Sequence, residues 1–165
     1  MSTVENLKNA FAGESQASRK YAAFAKKADK DGFSQVAKLF RAAADAETVH
    51  AANHLNAMKA VKSTKENLEE AIGGETYEFS DMYPPMIKEA EQEKNDAAKK
   101  SFSQANAVEK IHAELYKKAL SAVGSGKDMD KKDIFVCQVC GNTVTEVPGV
   151  CPICGFNKEM FKKIE

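Results

Sequence analysis

Over residues 1–123, apolar positions, many of them alanine, are interspersed with Lys, Glu and Gln and only seldom with β-branched residues. These are strong helix formers, and the pattern predicts four long helices. The first spans about Thr3 to Ala28 and stops at Asp29-Lys30-Asp31-Gly32. The second starts near Ser34, a suitable N-cap, and runs to about Val61. A third element follows Gly73-Gly74 and ends near Glu93. The fourth starts at Asn95 or Asp96 and stops at Gly124. A connection from Ser63 to Ile72, with a short helix near residues 65–71, links the second helix to the third. Pro84-Pro85 falls inside the third element, where a missing amide donor and a clash with the preceding turn predict a kink or a break.

Beyond Gly124 the pattern changes. Residues 125–133 are a charged stretch opened by Ser-Gly, read as a linker. Residues 134–165 hold all four cysteines, two of the four prolines and a higher share of Val and Ile. The expected domains are therefore a helical bundle over 1–124, the linker, and a small cysteine domain over 134–165. The ten residues from Gly124 to Asp133, fully extended, reach roughly 33–36 Å, enough for the tail to dock away from its own bundle, including on a neighbouring subunit.

Charge narrows the partners. Lys and Arg number 24, as do Asp and Glu. This balance gives no electrostatic reason to expect nucleic acid or an anionic membrane. No apolar run approaches the roughly 18 residues of a membrane span, and the N-terminus lacks a basic-then-apolar signal. The cytoplasm is the expected location. Thiols stay reduced there, so two tight cysteine pairs suggest metal ligation before disulfides.

The helical part repeats. Phe40, Glu47 and His50 recur as Phe102, Glu109 and His112 at an offset of 62 residues, and Glu14 recurs as Glu75 at an offset of 61. Tyr21 and Tyr83 follow two turns after those isolated glutamates. Residues at i and i+3 share a helix face, so each Glu-x-x-His directs one carboxylate and one imidazole the same way. Four-helix carboxylate proteins of the ferritin-like class use this inventory: one Glu from each of two helices and a Glu-x-x-His from each of the others. Oxygen and imidazole donors suit iron or manganese. Glu78, at i+3 from Glu75, adds a fifth carboxylate, which favours the more oxidised state of a metal pair. Apo protein is expected to be less stable than the loaded form.

In the tail, Cys137-x-x-Cys140-Gly141 and Cys151-Pro152-x-Cys154-Gly155 are separated by ten residues. Four thiolates in two knuckles form a tetrahedral site that fits iron or structural zinc equally. So small a segment should not fold without its metal.

Gly74-Glu75-x-x-Glu78 followed by Asp81-Met82-Tyr83-Pro84 resembles the third-helix signature of rubrerythrins. The order of Glu14, Tyr21, Glu47-x-x-His50 and Glu109-x-x-His112, and the tail, match that family as well. The resemblance implies a mainly α fold: a ferritin-like four-helix bundle with a small, β-rich, rubredoxin-like C-terminal domain. It implies a di-iron centre in which Glu47 and Glu109 bridge, Glu14 and Glu75 are terminal, and His112 binds the second iron. Glu78 and His50 would alternate on the first iron, and Tyr21 and Tyr83 would hydrogen-bond the ligand carboxylates. It favours iron over zinc at Cys137, Cys140, Cys151 and Cys154. One departure is a spacer slightly shorter than the family's, with Asn142-Thr143 where an aromatic often follows Gly141. The implied activity is reduction of hydrogen peroxide to water, for protection against oxidative stress. Electrons would come from a pyridine-nucleotide-dependent reductase or rubredoxin through the four-cysteine iron. A homodimer or higher homo-oligomer, domain-swapped in one form, is implied too. The alternative reading is a ferritin-like protein that oxidises and sequesters iron, its tail a structural zinc ribbon.

Overall fold

In the computed structural model, which describes residues 2–165, the first helix begins at a capping box. The Ser2 hydroxyl accepts from the Glu5 amide at 3.2 Å, and the Glu5 carboxylate accepts from the Ser2 amide. Together they satisfy two of the donors a helix start leaves open. Helix α1 (Thr3–Lys30) turns at Gly32, whose φ of 85° suits glycine, into α2 (Ser34–Ala57). Ser34 is not the N-cap. Phe33 takes that place without a side-chain cap bond, because the tight turn leads straight into the helix and the Phe33 carbonyl already accepts from the Ala37 amide at 2.9 Å. Nor does α2 reach Val61. Lys59 adopts a left-handed conformation, and the Ala60 amide bonds back to the Leu55 carbonyl, which closes the helix early.

These two helices form one unit, ending at Lys62. They meet through small residues: Ala37, Ala44 and Ala51, seven apart on α2, and Ala25 and Ala28 on α1 are buried. Ser18 and Thr48 hydroxyls hydrogen-bond across the pair at 2.9 Å, and Arg41 reaches Asp29 at 2.7 Å. Larger apolar side chains stay outside, among them Phe24, Phe33, Leu39 and Val49.

The second unit runs from Ser63 to Glu165. Ser63 and Glu66 form another capping box, so α3 (Thr64–Tyr77) takes in the short helix expected near residues 65–71 and runs on through Gly73-Gly74, starting eleven residues before Glu75. The glycines cost about 1 kcal/mol each relative to alanine, but neither takes a left-handed conformation that would stop the helix. A strong cap thus overrides two weak breakers. At Glu78–Met82 the helix widens into a π-turn, in which the Tyr83 amide donates to the Glu78 carbonyl. Helix α4 (Tyr83–Gln92) follows with its prolines in the first turn, where the missing amides are tolerated. The anticipated break is therefore real, and it takes the form of one inserted residue.

That insertion explains the sequence offsets. Tyr21 lies seven residues after Glu14, whereas Tyr83 lies eight after Glu75. A π-turn absorbs one extra residue and returns the tyrosine to the equivalent position. The aromatic contacts agree: the Tyr21 and Phe40 ring centroids are 6.2 Å apart, and those of Tyr83 and Phe102 are 6.3 Å apart at nearly the same tilt. Helix α5 (Asp96–Gly124) is capped by Asn95, whose side chain accepts from the Ala98 amide at 3.1 Å.

After α5, strands β1 (Ile134–Cys137), β2 (Thr143–Val144) and β3 (Phe161–Ile164) form an antiparallel sheet in the order β2-β1-β3. Chain order, strand content and the stop at Gly124 follow the sequence pattern. The tail packs against α5 of its own unit, and a Cβ on Gly141 would lie 3.7 Å from the Val108 side chain. No helix of the described residues is long and apolar enough to cross a membrane.

Candidate metal centres

Three groups of metal-ligating side chains stand out among the described residues. In the tail, each cysteine pair opens a knuckle of the same design. The Gly141 amide donates to the Cys137 carbonyl and the Gly155 amide to the Cys151 carbonyl, both at 2.9 Å. Cys137 and Cys151 in turn donate to the carbonyls of Asn142 and Phe156. Both glycines have positive φ, 83° and 76°, which tightens the turn. The sulfurs of Cys137 and Cys154 are 3.7 Å apart and those of Cys140 and Cys151 are 3.6 Å apart. With metal–sulfur bonds of about 2.3 Å, the edge of a regular tetrahedron is roughly 3.8 Å. The four thiols therefore fit one tetrahedral ion.

Electrostatics differ among the sulfurs. Burial pushes the Cys140 and Cys154 thiols up. Burial opposes ionisation of Cys151 too, yet the backbone amides of Cys154 and Ile153 hold its thiol down at about 6. Asn142, fully buried, donates from Nδ2 to the Cys151 sulfur at 3.7 Å.

Each helical unit carries one carboxylate–imidazole cluster. In the first, His50 Nδ1 lies 2.8 Å from Glu47 and 4.0 Å from Glu14. In the second, His112 Nδ1 lies 2.8 Å from Glu109 and 3.7 Å from Glu75. Two ligand atoms on one ion, each about 2.1 Å away, lie up to about 4.2 Å apart. Both clusters meet that limit around the imidazole. They differ in exposure: the His50 side chain is 53% exposed and that of His112 is 26%. Burial and a hydrogen bond shared with Glu109 raise Glu75 to about 7. Ionising Glu75 beside Glu109 is therefore costly, and a cation between the two carboxylates would relieve that cost.

Glu78 opens the π-turn beside this second cluster. Its carboxyl is pushed up by burial and then by the charge of Glu109. Tyr83 is raised by burial and by the charges of Glu109, Glu78 and Glu75, so its hydroxyl belongs to the same electrostatic neighbourhood. Tyr21 packs on Phe24 and Phe40 in the first unit. The structure thus brings Glu14 together with Glu47 and His50, Glu75 with Glu109 and His112, and the four cysteines with one another. It also shows two residues to which the sequence reading gave no role. Asn142 touches the sulfur site, and Thr143 places its hydroxyl 3.0 Å from His112 Nε2.

Comparison with known proteins agrees with this geometry. The rubrerythrin family model matches residues 5–120, and the model of the rubrerythrin rubredoxin-like domain matches residues 135–162. The chain belongs to the rubrerythrin family. Rubrerythrin-2 of Clostridium acetobutylicum is 33% identical over 97% of this chain and 95% of its own length. Nigerythrin of Nitratidesulfovibrio vulgaris is 38% identical over 97% of this chain and 85% of its own. Among solved structures, nigerythrin in its mixed-valence state aligns with a TM-score of 0.58 at 37% identity, covering 99% of this chain and 87% of that one. Another nigerythrin structure is of the fully reduced, all-ferrous state. This rubrerythrin-family chain therefore joins a rubredoxin-like four-cysteine domain to a helical part carrying the Glu and His set of a di-iron site.

Proposed function

We propose that the chain is a peroxidase that reduces hydrogen peroxide to water at a di-iron centre, fed with electrons through iron at the four cysteines. The observation that carries this reading is the pair of carboxylate–imidazole clusters with matched geometry, together with Glu78 beside only one of them. Residues 1–124 would assemble as a ferritin-like bundle in which Glu14, Glu47, His50, Glu75, Glu78, Glu109 and His112 hold the two ions. Exposed Phe24, Leu39 and Val49 support such assembly, since a two-helix hairpin alone leaves them in water.

When bound, two ferrous ions supply two electrons together, so that hydrogen peroxide and two protons give two waters without release of a radical. The chain's own residues set the conditions for that exchange. Tyr83 keeps its hydroxyl proton among three carboxylates and can hydrogen-bond one of them, with Tyr21 in the corresponding role. Glu78 and His50 give the centre one anionic and one neutral ligand, matched to the higher and lower charge of the metal pair. In the tail, four cysteines hold a one-electron ion whose donor would be a pyridine-nucleotide-dependent reductase or rubredoxin. This reading places the protein in the cytoplasm, as a homodimer or higher homo-oligomer, in protection against oxidative stress.

The test is peroxide consumption by the iron-loaded protein with a pyridine-nucleotide reductase as donor. Removal of the Glu47 carboxylate (E47A) should abolish turnover while the helical circular dichroism signal stays. Undiminished turnover in the folded variant would overturn the assignment. Iron oxidation without peroxide turnover would favour sequestration instead.

A further inference from the structure

His112 is held at both ring nitrogens. Nδ1 faces Glu109 at 2.8 Å and Glu75 at 3.7 Å, while Nε2 meets the Thr143 hydroxyl at 3.0 Å. That hydroxyl also donates to the Gly141 carbonyl at 3.1 Å. A threonine hydroxyl has one proton. Once it is given to Gly141, the oxygen can only accept from His112, which requires the proton on Nε2. A neutral imidazole carries one N–H, so the Nδ1 lone pair faces the two carboxylates, and its 2.8 Å approach to Glu109 is one that a cation, or failing that a proton, must bridge.

We propose that Thr143, a residue of the cysteine tail, is a positioning residue for His112: it selects the Nε2–H tautomer and so reserves Nδ1 for a metal ion beside Glu75 and Glu109. The inference rests on the reading of that cluster as a metal site.

Three features of the fold make the contact more than a chance approach. Thr143 lies on β2, paired with Val136 of β1, so its position is fixed by the sheet. It stands three residues after Cys140, and Gly141, whose carbonyl takes the proton, belongs to the cysteine knuckle. The ring and hydroxyl also border a cavity of about 300 Å³ whose other lining includes Leu68, Leu115, Tyr116, Ile134 and Val144. In such apolar surroundings an unmatched N–H has few substitutes, and a satisfied one is stronger than in water. His50, the counterpart in the first unit, has no such partner for Nε2 among the described residues, so the restraint is particular to the second cluster.

The contact also links the two metal sites. From the Cys151 sulfur the connection runs through the Asn142 side chain, along the backbone to Thr143, and across one hydrogen bond to His112. The orientation of a ligand in the helical part therefore depends on the folded state of the tail.

The experiment uses full-length, ¹⁵N-labelled protein with zinc at the four cysteines and with zinc titrated as a diamagnetic probe into the helical sites. Two readouts are taken, zinc affinity and the ring nitrogen spectrum of His112, and neither depends on peroxide turnover. In the unaltered protein Nδ1 should be metal-bound and the Nε2–H proton protected from exchange. T143V, close in shape but without a hydroxyl, should lose that protection and bind zinc roughly 10–100-fold more weakly at this site, the range found for partners of metal-bound histidines. T143S, which restores the hydroxyl, should recover both. Unchanged affinity and exchange in T143V would overturn the proposal alone, as would a T143S that behaves like T143V. Absence of zinc at His112 in the unaltered protein would overturn the metal-site reading and the proposal with it.

Discussion

At the scale of single residues, the chemistry of the second cluster is set by crowding. Glu75 is held at about 7 in place of the ordinary 4.5, chiefly by burial and then by Glu109. A raised carboxyl stabilises the metal-free fold fully only below its unfolded value, and that contribution is lost as pH rises through about 7. Metal uptake should accordingly release more protons at pH 6 than at pH 8, because at pH 8 Glu75 has already ionised. Calorimetry in buffers of different ionisation heat, on protein whose cysteine site is already filled, measures the difference, which E75Q should reduce. Equal release at the two pH values would contradict the assignment. The ligand-type residues themselves were legible in the sequence, since Glu-x-x-His at a repeated offset needs only helical periodicity to be read. The role argued for Thr143 was not, because nothing in local spacing says which helix the tail will lie on. Asn142 was visible as an unusual residue after Gly141, without the buried contact to Cys151 that gives it meaning.

At the scale of elements, the π-turn separates the two hairpins. It places an extra residue between Glu75 and Tyr83 and sets Glu78 at its start, and the first hairpin has neither feature. Deleting Ser80 should convert the turn to regular α-helix. Helical content and the cysteine site should survive, while displacement of Glu78 relative to Tyr83 should slow peroxide turnover by about a hundredfold, the effect expected of misplacement by roughly 1 Å. Circular dichroism with steady-state rates checks both halves of this expectation, and an unimpaired deletion variant would show the turn to be dispensable. The interruption is legible in Pro84-Pro85 but its form is not, because proline marks where hydrogen bonds fail and not how the backbone absorbs the failure. The division expected at Gly73-Gly74, with a short helix before it and a long one after, is absent for a related reason. Gly73-Gly74 lowers helix propensity, whereas the Ser63–Glu66 capping box and the packing of α3 on α5 act over more of the segment.

At the scale of the molecule, a tail that sequence alone left free to range along its linker lies in its own unit against α5, with a hydrogen bond to His112. Loss of the cysteine-bound metal should unfold residues 134–165, since their short strands rest on a core formed largely by Cys137, Cys151 and Asn142. A chelator strong enough to empty that site should abolish the β signal of the tail and leave the helices folded. Retention of a structured tail in metal-free protein, seen by amide hydrogen exchange, would contradict this. Such removal should also free the His112 Nε2 proton to exchange, so tail and helical site report on each other.

The proposed activity joins both sites in one electron path, and rapid mixing tests it most directly. Anaerobically reduced, iron-loaded protein is mixed in separate experiments with equal concentrations of hydrogen peroxide and dioxygen, and oxidation of the four-cysteine iron is followed by its visible absorbance. The expected result is faster reoxidation by hydrogen peroxide, with the cysteine iron losing its electron through the helical site and therefore slowed by E47A. Faster reoxidation by dioxygen, or a rate indifferent to Glu47, would contradict the peroxidase assignment.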